Sequence, residues 1–429
     1  MKITIVGTGY VGLVSAVGLA ELGHRVFCVD TDPQKIEILK SGRATFYEPG
    51  LDKLLKKNLA NRRLSFTVSL AQVIDQSEII FICVGTPPQP DGSADLTYVK
   101  QVAASIQTLS KQGKIVVTKS TVPIGTGAML EQILNKKPGR VFEAVSCPEF
   151  LREGQAVYDF FHPDRIVVGA DKQSVGFKVI NLFSAVKTHK MVTSRETAEL
   201  IKYAANAFLA TKISFINEIS NVCEKTGADV EEVAKGMGLD KRINPYFLKA
   251  GIGYGGSCFP KDVRALRQLS GGNGYNFRLL KAVIEVNNKQ RQLFFEKIKK
   301  VLGSLEGKKI GVLGLAFKGN TDDVRESAAV DLIKKLVKAK AKVSCFDPQA
   351  VANARLVLNG RIRYCANAYE TMEQADALII ATEWPQFAKL DFKKVKKLLR
   401  QPIIFDGKNL LNHQLIKKAG FSYYSVGRS

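Results

Sequence analysis

The first thirty residues constrain this chain more than any other stretch. Residues 2–6 (KITIV) form a β-branched run, and Gly7, Gly9 and Gly12 follow inside GTGYVG. An apolar helical stretch then extends to Leu22, and RVFCV (25–29) ends in Asp30. Strand, glycine turn, helix, strand, acid is the order of a βαβ unit, whose crossover makes the two strands parallel. Further short apolar runs recur at IIFICVG (79–85), KIVVTKST (114–121) and VFEAVSCPEF (141–150), alternating with helix-like segments. That alternation predicts a parallel doubly wound sheet.

The pattern changes at Glu196, where one long, mostly apolar helix is predicted to about Lys225, with a second helical stretch over roughly 276–302. After EGKK (306–309) the strand–glycine–helix order restarts with IGVLGLAFKG, then KVSCFDP (342–348), ALIIATEW (377–384) and PIIFDGKN (402–409). A chain of 429 residues exceeds one ordinary core. The expectation is an α/β protein of two Rossmann-like doubly wound parallel-sheet domains joined by a long central helical segment. The divisions fall at 1–193, 194–304 and 305–429.

No stretch approaches the roughly 20 apolar residues of a membrane span, and glycine breaks the N-terminal run too early for a signal-peptide core, so the expectation is a cytoplasmic protein. Seven scattered cysteines without a CxxC pair argue against a disulfide framework and against a zinc site. The formal charge of +23 invites a nucleic-acid reading. Its lysines, in groups such as KKLVKAKAK (334–342) and KKVKKLLR (393–400), are instead spaced like solvated helix faces, which favours a smaller polyanionic partner.

In Gly7-Thr8-Gly9-Tyr10-Val11-Gly12 the glycines let backbone approach a pyrophosphate at a helix N-terminus. Asp30, 18 residues after Gly12, can accept from both ribose hydroxyls and would repel a 2′-phosphate, so the cofactor reads as NAD rather than NADP. The bland reading is a structural turn with a surface aspartate. In the second copy Gly311 and Gly314 lack the tight spacing, which argues against a second dinucleotide site; Lys318, Asp322 and Arg325 suit a nucleotide's phosphates or internal ion pairs equally.

A second glycine-rich run, GIGYGGSCFPKD (251–262), places Cys258 just before a helix that Pro260 opens. Partial positive charge there, with Lys261 nearby, should lower the thiol below its usual pKa of about 8.5 and favour thiolate. A buried inert cysteine, with Asp262 no more than a favourable first-turn acid, fits the loop alone as well. Lys202 and Asn206 lie four apart in a helix that should be buried nearly all round. A lysine there acts as a base or forms a structural pair with a buried carboxylate. Glu149 and Glu153 sit at i, i+4 just after a predicted strand, which suits a site that needs carboxylates or, equally, a solvated first helical turn, and Thr121 closes a strand at the crevice where such sheets bind ligands.

Together GTGYVG, VGTP (84–87), STVPIGT (120–126), PEFLREG (148–154), NAFLATKISFINE (206–218), GYGGSCFPKD, AFKGNTDDVRES (316–327) and TEW (382–384) resemble the UDP-glucose dehydrogenase family along the whole chain. The resemblance implies a twofold oxidation of a sugar C6 alcohol by NAD, through a thiohemiacetal and a thioester on Cys258. It implies that Lys202, with a water held by Asp262 and Thr121, deprotonates the alcohol, that Asn206 positions, and that Glu149 assists hydrolysis. NAD would be met by Tyr10, Val11, Lys35, Thr86, Thr121, Glu153, Lys261 and Arg325 besides the glycines and Asp30. The UDP-glucose site would take Phe150, Leu151, Arg152, Phe247, Leu248, Lys249, Tyr254, Gly255, Phe317 and Lys318, with the loop glycines leaving room for the sugar. Arg242 would arrive from the second subunit of a homodimer built on the long helix.

Sister enzymes of GDP-mannose or UDP-N-acetylhexosamines share NAD and the cysteine, but the N-acetylmannosamine branch usually has histidine where Ser257 stands. A non-catalytic nucleotide sensor is the alternative from another class. One departure from the family is Lys408 in DGKN (406–409), where arginine is usual, so the planar bidentate fork is missing there.

Overall fold

The computed structural model describes residues 1–360 and 362–428. The chain divides into two compact units, Met1–Ala205 and Asn206–Ser429.

The first unit holds eight strands: β1 Lys2–Val6, β2 Arg25–Val29, β3 Leu64–Thr67, β4 Ile79–Ile82, β5 Ile115–Thr118, β6 Glu143–Ser146, β7 Arg165–Gly169 and β8 His189–Thr193. Their order is β3-β2-β1-β4-β5-β6-β7-β8, so the chain switches direction between β1 and β4. Six strands are parallel, as the sequence pattern predicts. β7 meets β6 antiparallel through the single pair Ser146↔Gly169, and β8 follows β7, so the far edge runs opposite to the rest. The PEFLREG loop and the short helix Ala156–Phe161 return the chain to the sheet without a full crossover. Both faces of the sheet are covered: Ile79 and Phe81 join one apolar cluster and Ile80 and Ile82 the other, as strand alternation requires.

The second unit repeats the plan with β9 Lys309–Leu313, β10 Lys342–Phe346, β11 Ile362–Tyr364, β12 Ala377–Ile380, β13 Ile403–Asp406 and β14 Ser422–Ser425. The order β11-β10-β9-β12-β13-β14 matches the first six strands of the other sheet, and every pairing is parallel. The long helix spans Arg195–Thr226, beginning in the first unit and running into the second. The helices Phe259–Gly272 and Arg278–Leu302 belong to the second unit.

Candidate active site

The N-terminal turn is built for close backbone packing. Gly7 adopts φ +96°, and a Cβ on Gly12 would lie 1.9 Å from the Gly7 carbonyl oxygen. The helix Tyr10–Glu21 starts directly on this turn, with its N-terminus at the β1/β4 switch point. Asp30 follows β2, and its Oδ2 accepts from Thr8 N (2.8 Å), Thr8 Oγ1 (2.7 Å) and Lys35 Nζ (3.1 Å). Burial raises its carboxyl, but the Thr8 donors, the Asp32 N–H and Lys35 outweigh this and hold it below its ordinary value. A fixed carboxylate beside an open turn fits the adenosine ribose of NAD. Thr86 and Thr121, after β4 and β5, are joined by a 2.9 Å bond from Thr86 Oγ1 to the Thr121 carbonyl.

The equivalent turn of the second unit is held by its own buried acid. Gly314 repeats φ +96°, but the N–H groups of Leu315 and Ala316 are bound at 2.7 and 3.1 Å by Asp347, which also accepts from Trp384 Nε1. Asp347 is 2% exposed. Asp347 thus holds this turn as Asp30 holds Thr8 in the first unit, while the glycines here lack the GxGxxG spacing.

Residues 147–155 are not helical and Glu149 and Glu153 are both buried, so the solvated first helical turn, one of their two readings, is not formed. Pro148 cannot donate, and the buried Glu149 carboxylate instead accepts the Leu151 N–H at 2.5 Å, an arrangement that competes with helix. Glu149 also forms a 3.0 Å ion pair with Lys202, the two side chains being 5% and 4% exposed. The structural pair considered for Lys202 is therefore present, with Phe150 stacked 5.4 Å from its ammonium. Glu153 is buried, whereas Arg152 is half-exposed and tied through its backbone and guanidinium to Asp159.

In the second unit Cys258 is the N-cap of Phe259–Gly272. The helix begins at Phe259, one residue before the proline, and Asp262 N donates to the Cys258 carbonyl at 2.8 Å. Asp262, 1% exposed, accepts from Asn206 Nδ2 and from Lys261 Nζ, each at 2.6 Å. Three of the residues singled out in the sequence thus meet one turn from the thiol. Among the described residues six cysteines are buried and Cys258 is the one that is not. Burial pushes the Cys83 and Cys345 thiols up to about 12, which leaves them inert.

The loop glycines serve the protein's own packing. A Cβ on Gly255 would lie 2.2 Å from the Glu326 carbonyl oxygen, and one on Gly256 2.7 Å from the Phe317 ring. Gly256 N also donates to the Arg325 carbonyl at 2.9 Å. These contacts form a tight backbone seam between loops 251–258 and 317–326, which requires glycine at 255 and 256. Tyr254 and Leu248 are buried; Phe247 and Lys318 are half-buried; Lys249 is exposed. Arg242 and Arg325 point outward in forked pairs with Asp240 and Asp323. Lys408 pairs with Glu383 of the TEW motif at 3.0 Å and donates to the Phe317 carbonyl at 3.3 Å. Burial would raise the Glu383 carboxyl, but Lys408 holds it below its ordinary value.

Glu199 was not singled out in the sequence. It is 3% exposed and accepts from Gly125 N, Gly127 N and Ser146 Oγ at 2.7, 2.8 and 2.8 Å. It thereby caps the helix Thr126–Leu134 and fixes the segment that follows Thr121. An acid one turn before Lys202 on the same helix was its signal.

Family models for the UDP-glucose/GDP-mannose dehydrogenase family match three parts of the chain: the NAD binding domain over residues 1–187, the central domain over 196–289 and the UDP binding domain over 311–413. The UDP-glucose 6-dehydrogenase TuaD of Bacillus subtilis is 48% identical over 429 residues, covering 100% of this chain and 93% of the relative. The UDP-glucose 6-dehydrogenase of Rhizobium meliloti is 46% identical, with 100% of each chain covered. Among solved structures, a UDP-glucose dehydrogenase from the archaeon Pyrobaculum islandicum superimposes with a TM-score of 0.93 at 40% identity, over 100% of this chain and 98% of that one. A likeness that runs the full length of the chain, in sequence and in fold, leaves no part of it unaccounted for: this chain belongs to the UDP-glucose/GDP-mannose dehydrogenase family.

Proposed function

We propose that the chain oxidises UDP-glucose to UDP-glucuronate in two NAD-dependent steps, with Cys258 retaining the intermediate aldehyde. The observation that carries this reading is the half-exposed thiol at a helix N-cap, beside the Asn206–Asp262–Lys261 network. NAD, when bound, accepts the hydride of each oxidation. Lys202, with a water held by Asp262 and Thr121 that carries the proton away, deprotonates the C6 hydroxyl and stabilises the oxyanion as an ammonium. The Cys258 thiolate adds to the aldehyde carbon, giving a thiohemiacetal whose oxidation leaves a thioester. Water, assisted by Glu149, releases the carboxylate and returns the thiol. Asn206 and Asp262 position these groups, and Lys408, held by Glu383, occupies the corner where the family usually has arginine.

The same reading assigns NAD binding to residues 1–193, the cysteine loop and assembly to 194–304, and uridine diphosphate to 305–429, in a cytoplasmic homodimer. Supporting the dimer, Phe208, Phe215 and Val222 recur every seven residues on the long helix and are 66%, 48% and 55% exposed. An apolar stripe of that length suits a two-fold contact. Light scattering should give a dimer for the wild type and a monomer for Phe208→Glu/Phe215→Glu. A stable wild-type monomer that turns over at full rate overturns the assignment.

The substrate is tested with a panel of nucleotide sugars and both dinucleotides, followed by absorbance of the reduced cofactor. UDP-glucose with NAD should exceed GDP-mannose, UDP-N-acetylglucosamine and UDP-N-acetylmannosamine. NADP should be used at least about tenfold less well, because a 2′-phosphate would face the Asp30 carboxylate. A preference for another sugar reassigns the substrate, and turnover of none of them leaves the sensor reading.

A further inference from the structure

Glu48, in the segment YEPG, lies outside every motif used so far, is 5% exposed, and is the acceptor of an unusually full set of donors. Its Oε2 accepts the Tyr10 O–H and, at 2.6 Å, the Gly154 N–H; its Oε1 accepts the Ala156 N–H at 2.8 Å. Gly154 N also donates to Tyr10 Oη at 2.9 Å, closing a three-membered ring of hydrogen bonds. Burial and the adjacent Glu48 carboxylate push the Tyr10 hydroxyl far up, so it stays a donor. Both ends of this ring belong to functional segments. Tyr10 is the first residue of the helix after the dinucleotide turn, and Gly154 closes PEFLREG, the loop whose Glu149 holds Lys202.

We infer that Glu48 is a positioning residue that locks the end of the Glu149–Gly154 loop to the start of the cofactor-turn helix, so that Glu149 and Lys202 are set for the chemical step. The inference rests on the proposed roles of that loop and of Lys202. Three carboxylates divide the work: Glu149 binds Leu151 N, Asp159 binds Arg152 N, and Glu48 binds Gly154 N and Ala156 N. Of the three carboxylates only Glu48 also joins the loop to the segment that follows β1, reinforcing the direct Gly154 N to Tyr10 Oη bond. An amide cannot replace it, because glutamine presents one acceptor atom where three N–H or O–H donors converge on two oxygens. Aspartate keeps the charge but is one methylene short of spanning both Gly154 and Ala156.

The test compares the wild type with Glu48→Gln and Glu48→Asp under saturating NAD and UDP-glucose. For Glu48→Gln, kcat should fall about 10- to 100-fold, the loss expected when catalytic groups shift by roughly 1 Å. The dissociation constant of NAD, measured by calorimetry, should stay within about threefold, since the turn's own backbone makes the pyrophosphate contacts. Glu48→Asp should recover part of kcat. An unchanged kcat overturns the inference, and so does a loss of NAD affinity as large as the loss of kcat. Should the variants not fold, hydrogen exchange of the ligand-free wild type decides: Gly154 and Ala156 amides should exchange far more slowly than exposed loop amides, and fast exchange overturns the lock. If the wild type oxidises no nucleotide sugar, the proposed function fails instead, while the exchange result still reports on Glu48.

Discussion

Cys258→Ala should bind NAD and UDP-glucose nearly as the wild type does and make UDP-glucuronate at less than about one per cent of its rate. The loop keeps its shape without the sulfur, because Gly255 packs on the Glu326 carbonyl, Gly256 on the Phe317 ring, and Asp262 N still donates to the residue-258 carbonyl. What disappears is the nucleophile that holds the aldehyde between two oxidations. The variant should therefore release, slowly, an aldehyde that exchanges with solvent, and calorimetry should return dissociation constants within a few-fold of the wild type. Acid quenching of the wild type during turnover should leave sugar on the Cys258 peptide, more of it in Glu149→Gln if that residue assists hydrolysis.

The second large effect concerns the buried pair Lys202–Glu149. Lys202→Met leaves Glu149, 5% exposed, without its 3.0 Å counter-charge. Breaking such a pair from one side costs about 3–5 kcal/mol of stability. Activity should fall about 10²- to 10⁴-fold, the range of a lost general base. The double variant Lys202→Met/Glu149→Gln separates the two consequences. With both charges gone, chemical denaturation should show most of the stability restored, whereas the rate should stay as low as in Lys202→Met. Recovery of the rate along with the stability would mean that Lys202 is a structural partner and not the base.

The sheets were legible because their strands are short β-branched runs separated by glycine turns, a purely local signal. The glycine turn at 7–12, Asp30 and the N-cap position of Cys258 were legible for the same reason. The misreadings are all long-range. PEFLREG contains good helix formers, but Glu149 finds Lys202 more than fifty residues away and spends its other oxygen on Leu151 N. The packing that requires glycine at 255 and 256 was not legible, because Glu326 and Phe317, which they touch, lie some sixty to seventy residues on. Glu48 and Glu199 carry no motif at all; their roles exist in the backbone N–H groups that folding brings to them. The reversed strands β7 and β8 likewise join the sheet through a single pair between the ends of β6 and β7, which no hydrophobic pattern encodes.

The most direct measurement is a titration of limiting UDP-glucose in excess NAD, with NADH counted by absorbance and the sugar product identified. The account requires both oxidations to occur before release, giving two NADH for each UDP-glucose consumed and UDP-glucuronate as the product. One NADH for each sugar, with free aldehyde in solution, would contradict it and reduce the enzyme to a simple alcohol dehydrogenase in which Cys258 has no covalent part.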